Sequence, residues 1–174
     1  MLALAFVLRP RLIVLDEPTT ALDVTTQAHI LGTLRHLCKS LGVAAIYVSH
    51  DLAVIKDLVD RVLVMYAGRI LESASREALF RQPAHPYTRG LLAAIPDVGQ
   101  RRPLLAIPGQ APAPGQRPAG CAFAPRCPRQ RAQCTAGEPL LQGLAADVQV
   151  ACIDPYRQAL PVSYTHLTLP TTPY

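Results

Sequence analysis

Hydrophobic positions along the first 95 residues follow two different periods. Residues 12–15 form a short run that is entirely apolar, and residues 43–48 form a second, nearly continuous one. Such runs are typical of strands buried on both faces of a sheet. Between them, apolar residues recur at the spacing of one helical face, from Asp23, which can cap a helix, to Gly42, which can end it. The apolar positions of that helix are Val24, Ala28, Leu31, Leu34, Leu37, Cys38 and Leu41.

The order strand, helix, strand predicts a parallel crossover and therefore an α/β fold. Downstream, the pattern predicts two strands within residues 61–73, joined at Ala67-Gly68. It also predicts short helices at residues 75–81 and 86–94.

Composition divides the chain into zones. Residues 1–95 carry the helix and strand patterns, and residues 96–120 are rich in Pro, Gly and Ala, which is typical of an extended linker. Residues 121–157 contain four of the five cysteines, and residues 158–174 are predicted to be an unstructured tail. No apolar run reaches the ~18 to 20 residues of a membrane-spanning helix. The first apolar run has no basic residue before it, as a signal peptide would, so we expect a cytoplasmic protein.

Polar residues stand where the two predicted parallel strands end. The first strand ends in Asp16-Glu17 and the second in Ser49-His50-Asp51. Ligands of open parallel sheets bind beyond these ends. One carboxylate can hold Mg²⁺ through water while its neighbour polarises an attacking water, and the histidine can contact a transferred phosphoryl group. Acidic residues also end strands simply because loops are solvated, so these residues alone leave a structural role open.

The longer string LIVLDEPTTALD, followed by a buried strand and SHD, resembles the ATP-binding-cassette ATPases. The resemblance implies ATP and Mg²⁺ as ligands, Asp16 as the magnesium-associated acid and Glu17 as the catalytic carboxylate. His50 matches the switch histidine of that family. Ala21-Leu22-Asp23 matches the loop that contacts the opposite subunit, which places Asp23 at a dimer interface. The implied fold is the parallel sheet of a P-loop nucleotide hydrolase with flanking helices.

Three downstream strings resemble a narrower group, the dipeptide, oligopeptide and nickel importers: VMYAGRILESA, HPYTRGLLAAIP and PAGCAFAPRCP. This resemblance implies a subunit that hydrolyses ATP to drive peptide uptake, with nickel as an alternative cargo. The implied partners are a second ATP-binding subunit in a homodimer or heterodimer, transmembrane permease subunits and, indirectly, an extracytoplasmic substrate-binding protein. The implied location is peripheral, on the cytoplasmic face of the inner membrane. The spacing of His85-Pro86-Tyr87-Thr88 itself points to no chemistry, and we interpret Pro86 as a helix start beside packing residues.

Several strings typical of the ATPase family are absent. The sequence has no phosphate loop of the form GxxxxGK[ST], no glutamine loop and no LSGGQ signature. We therefore expect residues 1–95 to be the carboxyl-terminal part of an incomplete ATPase domain that neither binds nor hydrolyses ATP alone. Residues 162–174, VSYTHLTLPTTPY, resemble translated sequencing-adaptor sequence, and we expect them to be non-native.

Four cysteines predict a metal centre in a segment that is otherwise poor in large apolar residues. Cys38 is expected to pack singly on its helix, apart from this group. A metal can supply the folding free energy that such a segment lacks. On chemistry alone, four thiolates suit Zn²⁺ or a [4Fe–4S] cluster, although the spacing lacks the CxxC pairs of common zinc sites. The resemblance to peptide importers favours the cluster. The predicted ligands, in a small irregular extension, are Cys121, Cys127, Cys134 and Cys152.

Positive charge is concentrated in the same part of the chain. The formal net charge is +5, and between Pro96 and Cys134 there are six arginines but a single acid, Asp97. Such a run is compatible with nucleic acid, an acidic membrane surface or a buried anionic cofactor. The alternative function is therefore a basic metal module that binds nucleic acid or acidic lipid. Phe123 is the only aromatic residue in 120–138, so base stacking is poorly supported and we expect no nucleic acid. A cassette ATPase of DNA repair is less consistent with the HPYT string and the cysteines.

Overall fold

The computed structural model describes residues 2–20, 22–95 and 106–157. The chain divides into two compact units, Met1–Val59 and Asp60–Tyr174, which we call the amino-terminal unit and the carboxyl-terminal unit. The mixed α/β class is confirmed, with one sheet of two strands and one of four. Among the helices of the described ranges, none has the length and apolar character needed to cross a membrane.

One long helix and two strands form most of the amino-terminal unit. Asp23 begins the helix, because its side chain accepts hydrogen bonds from the N–H groups of Thr25 and Thr26. Gly42 ends it with a φ of 65°, a left-handed conformation that glycine adopts without steric cost. Both helix ends are as predicted. The elements are α1 (Leu2–Val7), β1 (Leu12–Asp16), α2 (Val24–Leu41), β2 (Ala44–Val48) and α3 (Leu52–Ile55).

Strands β1 and β2 pair in parallel, as the order strand, helix, strand predicts. One face of the pair packs against α2 and closes a small core. The opposite face is open, with Val14 63% exposed and Ile46 50% exposed. The strands are therefore apolar on two faces but covered on one within the described residues. The buried core consists of Phe6, Ile13, Leu31, Leu34 and Val43.

The carboxyl-terminal unit is built on an antiparallel sheet with the strand order β3-β4-β6-β5. The first two strands form the predicted hairpin, and Ala67 and Gly68 turn the chain with φ values of 46° and 77°. Pro86 lies in the first turn of its helix, as predicted. The elements are β3 (Arg61–Tyr66), β4 (Arg69–Ser75), α4 (Arg76–Arg81), α5 (Pro86–Ala93), a 3₁₀ turn (Ala124–Arg126), α6 (Gln133–Ala136), β5 (Gln142–Ala145) and β6 (Val148–Val150).

The cysteine-rich segment is not the irregular extension that its composition predicts. Its strand β6 pairs with β4, where Val150 lies opposite Glu72. Phe123 is 1% exposed, and its ring centroid lies 5.5 Å from that of Tyr66 and 5.2 Å from that of Tyr87. The segment has few large apolar side chains, but it completes a core that the hairpin and α5 begin. Because the core is shared, the composition of the segment alone led to the wrong prediction of an irregular extension.

The predicted linker is described only from residue 106 onward. Residues 106–120 form neither helix nor strand. Ile107 nevertheless packs against the core that contains Phe123, and its carbonyl oxygen accepts a hydrogen bond of 3.1 Å from Arg126. The predicted tail at 158–174 lies outside the described residues. The domain boundaries that composition suggests stay a prediction.

Candidate functional site

The parallel pair of strands brings polar residues to one edge of the amino-terminal unit. Because β1 and β2 run in the same direction, Asp16 at the end of β1 lies opposite Val48 at the end of β2. Glu17 follows the first strand, and Ser49 and His50 follow the second. The N–H of Glu17 donates to the carbonyl oxygen of Val48 at 2.9 Å, so the pairing continues one residue beyond β1.

Glu17 and His50 are in direct contact at this edge. His50 Nδ1 lies 2.8 Å from Glu17 Oε1, and the hydroxyl of Thr20 donates to Glu17 Oε2 at 2.9 Å. An ionised carboxylate only accepts hydrogen bonds, so Nδ1 is the protonated donor. The hydrogen bond from His50 is the main reason that the pKa of Glu17 lies below its ordinary value, and the same contact raises the pKa of His50. The side chains are 78% and 43% exposed for His50 and Glu17, so a ligand can reach them from solvent.

The backbone of Glu17 is also unusual. Its φ of 42° lies in the left-handed region, which residues other than glycine seldom adopt. Strain of this kind is common at functional sites, where several contacts together over-determine the conformation. Here the constraints are the hydrogen bonds of Glu17 with Val48, Thr20 and His50.

The other two residues predicted for this site are arranged differently. Asp16 is exposed at the end of β1. The carboxylate of Asp23 is engaged by helix α2, accepting the N–H of Thr25 and both the N–H and the hydroxyl of Thr26, the last at 2.6 Å. These hydrogen bonds, the Thr26 hydroxyl most of all, lower the pKa of Asp23. Asp23 thus has a capping role, and its place at a dimer interface stays a prediction. Ala21, in the same predicted loop, lies outside the described residues.

A second cluster of predicted residues lies in the carboxyl-terminal unit, where all four cysteines line one small cavity. Two of them are buried and two are half-buried. The N–H of Cys121 donates to the carbonyl oxygen of Cys134 at 2.8 Å, which joins two parts of the segment. Cys38 lies on α2 in the amino-terminal unit and is not part of the group. The cavity is lined by Cys121, Cys127, Cys134 and Cys152, together with His85, Pro86, Ala124, Arg129, Pro139, Ile153 and Asp154.

The cavity does not present a complete set of metal ligands. Within the ranges that the structure describes, no group of three or more His, Cys, Asp or Glu side chains is placed so that it could hold a metal ion. Burial raises the pKa of Cys121 and of Cys127, and it raises the pKa of Cys152 to about 11. The donor set still suits a soft metal, because four sulfurs line one space. The predicted metal centre therefore stays a hypothesis with a shared cavity behind it.

The four arginines of the basic segment that the structure describes are held by oxygen atoms of the protein itself. Arg129 and Arg131 both contact Asp154 at 2.6 Å, and Arg117 pairs with Glu138. Arg126 donates to the carbonyl oxygens of Pro108 and Ile107. Their charge is partly offset inside the unit, which leaves less of it for nucleic acid or acidic lipid.

Sequence reasoning missed two buried polar side chains in this unit. Glu72 is fully buried in β4, and its carboxylate accepts the N–H groups of Ala84 and His85 at 2.8 Å each. Burial raises the pKa of Glu72 and lowers the pKa of His85 to about 4. The available signals were a glutamate directly after the apolar pair Ile70-Leu71 of a predicted strand and the HPYT string, whose spacing indicated no chemistry.

Comparison with known proteins shows what this chain is similar to. Residues 71–134 match the family model described as the oligopeptide/dipeptide transporter, C-terminal region. The chain is similar to the oligopeptide transport ATP-binding protein AppD of Bacillus subtilis (strain 168), with 45% identity over 142 residues, which is 81% of this chain and 43% of that protein. It is also similar to the dipeptide transport ATP-binding protein DppD of Escherichia coli (strain K12), with 42% identity over 160 residues, 91% of this chain and 49% of that protein.

These relatives are ATP-binding proteins of transporters. More particularly, the chain is similar to oligopeptide and dipeptide transport ATP-binding proteins, which confirms the family resemblance of its sequence. The chain spans less than half the length of the two relatives. The matched family segment runs from Leu71 to Cys134, so it includes the HPYT string and three of the four clustered cysteines.

Proposed function

We propose that this chain is part of the ATP-hydrolysing subunit of a peptide importer. The observation that carries the proposal is the 2.8 Å contact between His50 Nδ1 and Glu17 Oε1 at the carboxyl ends of two parallel strands. The names of the two relatives give ATP as the ligand and oligopeptides or dipeptides as the cargo. We extend both to the protein to which this chain belongs.

In the proposed mechanism, Glu17 polarises the water that attacks the terminal phosphate of ATP. The hydrogen bond from His50 orients the carboxylate and favours its ionised form, which can accept a proton from that water. His50 uses Nδ1 for this contact. Glu17 raises the pKa of His50, which favours the doubly protonated ring, and the Nε2–H of that ring can donate to the transferred phosphoryl group, where negative charge develops.

Asp16 is the proposed partner of magnesium. Mg²⁺ in proteins keeps several of its waters and binds one or two carboxylates, and an exposed carboxylate at a strand end fits that preference. Bound with ATP, the ion offsets charge on the phosphate oxygens. Asp23 is proposed to lie near a second ATP-binding subunit while it caps α2.

Transport also implies partners and a location. We propose a homodimer or heterodimer of ATP-binding subunits on the cytoplasmic face of the membrane, in contact with permease subunits, with an extracytoplasmic binding protein engaged indirectly. Residues 1–95 are the proposed carboxyl-terminal part of the ATPase domain, residues 96–120 a linker and residues 121–157 the cysteine-rich region. The internal pairing of the described arginines does not favour the alternative of a module that binds nucleic acid or acidic lipid.

A chimera tests the catalytic proposal. This chain would replace the matching 43% of the Bacillus subtilis relative, and ATP binding and hydrolysis would be measured on the purified chimera. We expect Glu17→Gln to lower turnover at least ~100-fold, because the amide keeps the shape of the side chain but cannot act as a base. ATP binding should be unchanged. Glu77→Gln, at an exposed carboxylate of α4, is the matched control and should hydrolyse ATP normally.

Two results would overturn the catalytic proposal. Near-normal turnover of the Glu17→Gln chimera would move the catalytic role to another residue. An equal loss in the Glu77→Gln chimera would show that the assay responds to surface charge. His50→Ala should also impair hydrolysis, because it removes both the orienting donor and the proposed phosphoryl contact.

We further propose that the cysteine cavity holds a metal centre, a [4Fe–4S] cluster or, as the alternative, Zn²⁺. The supporting observation is that all four cysteines of the segment line one cavity. When bound, such a centre would cross-link the residues around the 3₁₀ turn, α6 and the residues just after β6. Sulfur ligation by Cys121, Cys127, Cys134 and Cys152 is what the donor set would supply.

Anaerobic purification followed by metal analysis and visible absorption tests the metal proposal. A brown protein with about four irons supports the cluster, and a colourless protein with one zinc supports the alternative. Cys134→Ser should lower the metal content in either case, whereas Cys38→Ser should not. Folded protein with neither metal and four freely titratable thiols in the segment would refute both.

A further inference from the structure

His85 is a buried histidine with one hydrogen bond assigned and one left over. It caps helix α5, and its Nδ1 accepts the N–H of Tyr87 at 3.0 Å. The residue is 1% exposed. Its other ring nitrogen, Nε2, is buried and has no hydrogen-bond partner among the residues that the structure describes. A buried polar atom without a partner is unfavourable, so it points to a ligand.

The cap itself determines where the ring proton lies. Because Nδ1 accepts a hydrogen bond, it carries no proton, and the proton of the neutral ring is on Nε2. The unpartnered atom is therefore an N–H donor. For Nε2 to ligate a metal, the proton would have to move to Nδ1, where it would face the N–H of Tyr87. The cap hydrogen bond thus disfavours His85 as a metal ligand.

The surroundings of His85 hold it beside the cysteines. It lines the same small cavity as the four clustered cysteines. The buried carboxylate of Glu72 accepts the N–H groups of Ala84 and His85 at 2.8 Å each, which fixes the backbone just before α5. The ring of Phe123 packs with its centroid 5.9 Å from that of His85. The backbone hydrogen bonds and the ring packing therefore hold His85 at the wall of this cavity.

We propose that His85 is a positioning residue of the thiolate metal centre, where its Nε2–H donates a hydrogen bond to a metal-bound sulfur. The inference rests on the metal centre proposed above. It gives the HPYT string a chemical role, since Pro86 and Tyr87 start the helix whose cap orients the donor. A hydrogen bond to sulfur stabilises the more negative, reduced form of a cluster and raises its reduction potential. For zinc, loss of such an outer partner typically lowers metal affinity 10- to 100-fold.

The test variant is His85→Asn in the full chain, loaded anaerobically with sulfide and equal amounts of ferrous and ferric iron. Asparagine keeps an acceptor for the N–H of Tyr87 and is a favourable cap, but it lacks the atom that corresponds to Nε2. We expect unchanged iron content and an equilibrium constant for one-electron reduction about tenfold lower, which is a shift of 59 mV. His36→Asn, at an exposed histidine of α2, is the matched control and should leave the potential unchanged.

A second measurement needs no variant. In the wild-type chain loaded with Zn²⁺, nitrogen NMR of the histidine rings should show the His85 proton on Nε2 and not on Nδ1. A proton on Nδ1 would overturn the proposal even if His85→Asn failed to fold.

The outcomes separate this inference from the metal proposal. Wild-type protein that binds neither iron nor zinc refutes both. If the wild-type protein binds the cluster and His85→Asn has the same reduction potential, the donor role is refuted and the metal proposal is not. If folded His85→Asn lost its metal, and X-ray absorption of the wild-type protein showed a nitrogen ligand to the metal, His85 would be a ligand and its assignment as a donor would be overturned.

Discussion

The two units of this chain bury the apolar residues of their strands to different extents. In the amino-terminal unit, β1 and β2 are apolar on both faces, yet Val14 and Ile46 are 63% and 50% exposed. In the carboxyl-terminal unit, exposed and buried residues alternate along strand β3. Its buried residues Val62, Val64 and Tyr66 are each at most 6% exposed. Both units leave one apolar strand face exposed, since Leu63 and Met65 on β3 are 57% and 60% exposed. They differ on the other face, where β1 and β2 bury Ile13 alone and β3 buries three residues.

The same contrast holds for polar side chains. Glu17 and His50 form an exposed pair at a sheet edge, where a ligand can arrive from solvent. Glu72 and His85 are buried, and each is tied to the backbone at the start of α5. An exposed pair is suited to chemistry on a soluble substrate. Buried groups are suited to holding an internal structure in one conformation.

The largest effect should come from removing the aromatic centre of the carboxyl-terminal unit. We expect Phe123→Ala to lower the free energy of unfolding by about 3 to 5 kcal/mol, because a fully buried ring leaves a cavity among Tyr66, Tyr87 and Leu71. Urea denaturation followed by circular dichroism measures it. The control is Leu140→Ala, at a site 74% exposed, which should change stability by less than about 0.5 kcal/mol. Equal losses would mean that the shared core is not formed in solution.

A matched pair of valines tests the contrast between the strands directly. Val64→Thr should lower the free energy of unfolding by about 1 to 3 kcal/mol, because it buries a hydroxyl at a site 5% exposed. Val14→Thr, on the open face of β1, should cost less than about 0.5 kcal/mol. Similar losses at both positions would show that the open face is covered in solution, and sedimentation would then reveal whether a second copy covers it.

Helix capping separates a structural role of Asp23 from a functional one. Asp23→Ala should destabilise the chain by roughly 0.5 to 2 kcal/mol, because the first N–H groups of α2 lose their acceptor. Asp23→Ser should restore most of this stability, since serine is also a good cap. Thermal unfolding of both variants gives the comparison. A stable Asp23→Ala chain would refute the capping role.

The smallest effect concerns the exposed pair. The contact with Glu17 raises the pKa of His50 above its ordinary value of 6.5, so the interaction is present below that value and is lost as the pH rises through the raised pKa. NMR titration of the His50 ring should show this, and Glu17→Gln should return the pKa toward 6.5. In the control variant Glu77→Gln the titration should not change. An unperturbed His50 in the wild-type chain would contradict the contact.

Local features of the sequence were enough to predict most of the elements. Periodicity located β1, α2 and β2, and the parallel pairing followed from their order. The side chain of Asp23 and the left-handed φ of Gly42 set the ends of α2, because caps act on the nearest turn of the same helix. The residues at the strand ends were also identified, since parallel strands bring their carboxyl ends to one edge.

Only the tertiary structure decided how distant residues meet. The left-handed φ of Glu17 and its contact with His50 depend on two strands separated by a helix of 18 residues. Phe123 is buried because the hairpin and α5 bring Tyr66 and Tyr87 against it. The cysteine cavity acquires a buried histidine in the same way. Burial depends on what the rest of the chain places beside a residue, and neither spacing nor composition records that.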